Sequence, residues 1–203
     1  MGRSTLEGRA AKAAAAPSSS ASGLEQLLVS HDDSRNVFLH GAVDEASVAV
    51  IVAQLLHLAE ENRKKPIYLV VSTYGGSIDE MFSLYDTIKF LPCPVHTIGL
   101  GKVMSAGVLL LAAGVKGHRL MGARARIMMH SASGASMGNV FEVENEAKEL
   151  RRLHELAIDM LVAETKMSRK QVEAIMDPKV DRYLLPEEAL KLGIVDRIIG
   201  AAP

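Results

Sequence analysis

The sequence predicts an α/β fold on a mostly parallel sheet, and three observations carry that prediction. From about Ser34 onward, short β-branched runs alternate with longer helical patterns. The run IYLVVS (67–72) is apolar almost throughout and short, as expected of a strand covered on both faces. Glycine, proline and serine punctuate the junctions, and no repeat short enough for a solenoid occurs.

Taken in order, NVFLHG reads as a strand closed by Gly41. A helix follows over DEASVAVIVAQLLHLAEEN, where Val48, Ile51, Val52, Leu55, Leu56 and Ala59 recur at helical spacing along one face. RKKP ends it and leads into IYLVVS, after which TYGGS reads as a turn. Ser77 and Glu80 have the spacing of a capping box for a helix from Ile78 to Leu91, and Pro92 and Pro94 stop it. VHTIGLG (95–101) is the next strand and SAGVLLLAAG the next helix. HRLMGARARIMMHSA holds one or two further strands. Residues 139–165 form a long amphipathic helix with Val143, Ala147, Leu150, Leu153, Leu156, Ala157, Met160 and Leu161 along a stripe. Ser168 caps a short helix over SRKQVEAIM, Gly193 stops another over PEEALKLG, and IVDRIIG closes as a strand.

Bulk properties narrow the function. The 203 residues are 48% hydrophobic, enough for one packed core, with a net charge of -1 that makes no case for nucleic acid or an anionic membrane surface. The longest apolar run, 103–115, is broken by Ser105, Gly107 and Gly114. It falls short of the roughly 20 residues a membrane helix needs, so it reads as a buried core helix. The single cysteine, Cys93, suits a reducing, cytoplasmic setting and rules out an internal disulfide. Residues 1–23 are rich in Ala, Ser and Gly and are expected to be a disordered tail, with 24–203 forming one domain.

Two strand-to-helix junctions, 73–77 and 101–106, would present backbone N–H groups at helix starts, where negative charge is favoured. The Gly75-Gly76 pair suits either a tight turn or a close approach to a ligand. Ser105 suits either a helix cap or a nucleophile, with the amides of Gly76 and Ala106 as an oxyanion hole. This is not a G-x-S-x-G elbow, since Val103 stands where its first glycine would be. His130, closing the apolar strand RIMMH, is either a half-packed strand-end residue or the base a nucleophile needs. Asp181 is either an exposed loop carboxylate or the group that orients the imidazole. His154 reads as a helix-surface residue, and no histidine pair has metal-ligand spacing with a carboxylate.

From about Asn36 to Ile199 the chain resembles the proteolytic subunit of the ATP-dependent Clp protease. The matching stretches are IYLVVSTYGGSIDEMFSLYDTIKFL, HTIGLGKVMSAGVLLLAAGVKGHRL, ARIMMHSASG and DRYLLPEEALKLGIVDRII, in the family's order. The resemblance implies a crotonase-like spiral of repeated β-β-α units with a protruding handle helix over 139–165. It implies a triad of Ser105, His130 and Asp181, with the oxyanion held by Gly76 and Ala106. An extended substrate would lie along Gly75 and the segment Ser131, Ala132, Ser133 and Gly134. It further implies a homo-oligomer of stacked heptameric rings, a polypeptide substrate, an ATP-driven unfoldase ring as partner, and no cofactor or metal.

The chain departs from the family pattern at named places. Thr73-Tyr74 replaces Ser-Pro before the glycines, Lys102-Val103-Met104 precede the serine, Ala106 follows it, and Ser131-Ala132 replace Gln-Pro after the histidine. Competing readings are a catalytically silent ring subunit, a phage-type maturation protease and a crotonase-type acyl-CoA enzyme. A Ser-Lys peptidase using Lys102, placed by sequence in a solvent-facing turn, is another.

Overall fold

The computed structural model describes residues 35–177 and 180–200, so the tail expected over 1–23 lies outside the described residues. Among the described residues, seven strands and six helices follow one another. They are β1 (Asn36–Val43), α1 (Glu45–Glu61), β2 (Ile67–Gly76), α2 (Ile78–Phe90), β3 (Val95–Met104), α3 (Ala106–Ala112), β4 (Arg119–Gly122), β5 (Arg126–Met129), α4 (Val140–Glu164), α5 (Arg169–Met176), β6 (Arg182–Leu184), α6 (Pro186–Leu192) and β7 (Arg197–Ile199). The sheet order is β1-β2-β3-β4-β7, every pairing along it parallel, as helical crossovers between successive strands require.

β3 forks the sheet. Its first half (Thr97–Gly99) pairs with β4, and its second half (Lys102–Met104) pairs with β5. Gly101, at φ 65°, lies between the two halves, in the left-handed region that glycine enters without steric penalty. The fork sends β5 to the end of the sheet where α3 begins, and β5 in turn pairs antiparallel with β6.

Most helix boundaries match the sequence reading because local chemistry sets them. The Asp44 side chain accepts from the Ser47 N–H, and Asn139 and Ser168 close reciprocal boxes with Glu142 and Gln171. Every residue of α3 is buried, which explains its unbroken apolar sequence. The apolar stripe of α4 divides. Ala157, Ile158 and Leu161 enter the core, whereas Val140, Phe141 and Val143 are exposed, beside Met137 at 97%.

Two junctions differ from expectation. TYGGS is not a free turn: β2 runs through Gly76, paired with β1, which itself continues past Gly41 to Val43. The register shifts between Gly41 and Ala42, leaving Tyr74 as the extra residue of a β-bulge. The Thr73 hydroxyl fastens it, donating to the Gly41 carbonyl (2.5 Å) and accepting from the Gly75 N–H (2.9 Å). Lys102 likewise lies in β3 rather than in a turn, with its ammonium 4.9 Å from the Tyr74 ring centroid.

Candidate active site

Ser105 sits between β3 and α3 at φ 53°, ψ -124°, and is the only non-glycine with positive φ among the described residues. Such a conformation costs on the order of 1–3 kcal/mol, so the surroundings must enforce it. Its N–H donates to the Met128 carbonyl (2.8 Å) and its carbonyl accepts from Val108 (2.9 Å). Ser105 occupies the N-cap position of α3, yet its hydroxyl makes no capping hydrogen bond. It lies 2.8 Å from His130 Nε2 instead.

The β3–β5 pairing produces that contact. β3 ends at Met104, paired with Met128, and β5 ends one residue later at Met129, so Ser105 and His130 leave the ends of neighbouring strands and their side chains meet. With the serine hydroxyl donating, Nε2 is the acceptor and Nδ1 carries the ring proton. Both side chains are half-buried.

Asp181 stands just beyond the β5–β6 ladder. Met129 pairs with Arg182, so the next antiparallel step sets Asp181 opposite His130. Asp181 is nevertheless exposed, and among the described residues no hydrogen bond joins it to the imidazole. The structure therefore brings Ser105 and His130 together and leaves Asp181 nearby with its carboxylate unengaged.

Gly75 is pressed against the serine: a Cβ there would lie 2.6 Å from Ser105 Cβ and 3.0 Å from the Met104 carbonyl oxygen. Its own N–H is taken by Thr73, so Gly75 serves close approach rather than donation. Gly76 and Ala106 line a cavity of about 300 Å³ beside Ser105 and His130. As the first residue of a helix, Ala106 has an N–H that α3 cannot satisfy internally. Ser131, Ala132 and Ser133 form one wall of the cavity. Its apolar interior comes from Met81, Val108, Leu109, Met129, Leu161 and Met176. Gly134 faces the handle helix, where a Cβ would meet Leu150 at 3.4 Å.

A family model for the Clp protease matches residues 22–202. The chain belongs to the Clp protease family. Peptidase activity in general comes with that membership, and the mixed α/β architecture with its parallel sheet is the one the family shares with crotonase-like proteins. The departures at Thr73-Tyr74 and at Lys102 have a local structural account. Tyr74 is the bulge residue that stacks under Lys102, and Thr73 ties the bulge down. Lys102 is thereby directed onto an aromatic ring, while His130 is the group that meets the serine. No helix among the described residues is long and apolar enough to cross a membrane, and no metal-holding group of three or more His, Cys, Asp or Glu occurs among them.

Sequence reasoning overlooked His154. It is not a free helix-surface residue: its Nδ1 accepts from the Ala132 N–H (3.3 Å), and its Nε2 meets Asp177 Oδ1 (3.2 Å). The signal was available, because His154 falls one turn after Leu150 and one turn before Ala157, within the same stripe.

Proposed function

We propose that the protein is a serine endopeptidase that cleaves peptides and unfolded polypeptides inside a ring oligomer. One observation carries the reading: a serine at a helix start whose hydroxyl goes to an imidazole at 2.8 Å instead of capping, held in a strained conformation. His130 takes the hydroxyl proton as Ser105 Oγ attacks the scissile carbonyl, then returns that proton to the leaving amine. Backbone amides of Gly76 and Ala106 stabilise the tetrahedral oxyanion. Asp181, closing onto Nδ1, holds the tautomer and stabilises the imidazolium. Water then attacks the acyl-enzyme by the same route in reverse. The apolar cavity beside the serine suits an apolar side chain at the cleaved residue.

The exposed apolar start of α4 supports pairing of rings through the handle. Stacked heptameric rings, an ATP-driven unfoldase partner and a cytoplasmic location are part of this proposal on family membership alone. The unengaged carboxylate of Asp181 favours a second reading, a catalytically silent ring subunit. A peptidase assay on the assembled protein separates the two. His130→Ala abolishes turnover and Lys102→Ala retains it. The reverse pattern overturns the triad, and an inactive wild-type oligomer supports the silent subunit.

A further inference from the structure

The segment after His130 forms a wall of the cavity, and a single side chain from another element holds its main chain. Ala132 donates its N–H to His154 Nδ1 at 3.3 Å. Because that N–H is a donor, Nδ1 must present its lone pair. The ring proton therefore resides on Nε2, which donates to Asp177 Oδ1 at 3.2 Å. A carboxylate at the end of α5 thus fixes the tautomer of an imidazole on α4, and the imidazole fixes a backbone amide of the active-site wall. The His154 side chain is only 15% exposed, whereas Asp177 is 59% exposed.

We propose that His154 is a positioning residue for substrate, an inference that rests on the peptidase reading above. Each residue has one main-chain N–H. With the Ala132 donor committed to the handle helix, an incoming peptide cannot use that N–H and takes its main-chain donors on this wall from the flanking Ser131 and Ser133. Both line the cavity, and the clamp at Ala132 sets their placement. His154 touches neither the serine nor the cleaved bond, so its effect falls on peptide binding and leaves the chemistry alone.

Steady-state peptide hydrolysis and fluorophosphonate labelling of the assembled protein test this together. His154→Leu keeps bulk and removes the acceptor, and it raises KM roughly tenfold with kcat within about twofold. Labelling of Ser105 proceeds at the wild-type rate, because the small reagent needs no main-chain pairing. His154→Asn restores KM toward wild type, since its Oδ1 has the same reach as Nδ1. Asp177→Ala, at an exposed position, folds even if the leucine variant does not, and raises KM about threefold. The proposal is overturned if the leucine and Asp177 variants keep the wild-type KM, if asparagine fails to rescue, or if labelling falls in step with hydrolysis. Absence of labelling in the wild type instead removes the peptidase reading, and the role of His154 with it.

Discussion

Two serines open two helices on neighbouring strands, and they are used in opposite ways. Ser77 follows β2 and Ser105 follows β3, and each donates its N–H to a carbonyl of the adjacent strand at 2.8 Å, Val43 for the first and Met128 for the second. Ser77 has an ordinary φ of -58°, and its hydroxyl accepts from the Glu80 N–H at 3.3 Å, the forward half of a capping box. Ser105 has φ 53°, leaves its helix uncapped and meets His130. Residue type and topological position are the same in both. What differs is the neighbouring strand: β5 is followed directly by the His130 imidazole, and Gly75 packs its backbone against Ser105 Cβ where any side chain would collide. A helix cap becomes a nucleophile when the surroundings turn its hydroxyl away from the helix and supply a base.

The largest break in this comparison comes from Ser105→Ala. Peptide turnover falls by about 10⁵- to 10⁶-fold in a steady-state assay, while thermal stability changes little because no cap is lost. Asp181→Asn comes next, lowering kcat by roughly 10⁴-fold if the carboxylate closes onto the imidazole. A kcat unchanged by that variant would assign tautomer control to some other group.

A contrasting ion pair sharpens the separation between scaffold and chemistry. Arg119 is buried and grips Asp196 with two parallel hydrogen bonds, 2.8 and 2.7 Å. Asp196→Ala leaves that guanidinium unpaired and costs about 3–5 kcal/mol in denaturant unfolding, with kcat per folded molecule unchanged. Burial pushes the Asp196 carboxyl up, but hydrogen bonds from Arg119 and the charge beside it outweigh this and hold it below the usual carboxylate value. This stabilisation is therefore present above the ordinary aspartate range and lost as pH falls through the lowered folded value. In the Asp196→Ala variant that part of the acid-side loss disappears. The smallest effect belongs to Ser77→Ala, which costs about 1 kcal/mol in unfolding and leaves catalysis intact.

Much of the fold was legible because its signals are local. Asp44, Asn139 and Ser168 mark helix starts, Gly193 marks a helix end, and the all-apolar α3 announces its own burial. TYGGS misled because its residues favour a turn, while pairing with Val43 and the Thr73 hydroxyl bond to Gly41 draw the stretch into a bulged strand. The stripe on α4 marked an amphipathic helix without marking how far the core reaches along it, which is only its second half. At the site, Ser105 and His130 were candidates by residue type, but their proximity depends on the fork in β3, which no local spacing encodes. His154 was passed over for the same reason: its partners, Ala132 and Asp177, belong to segments distant in sequence.

The most direct test of the central claim is peptide mapping after fluorophosphonate treatment of the assembled protein, with His130→Ala in parallel. Such a reagent modifies only a serine activated by its neighbours. The account predicts a single adduct on Ser105 in the wild type, none on Ser77, and none in the His130 variant. An unlabelled Ser105 in an intact oligomer, or equal labelling without His130, would contradict it.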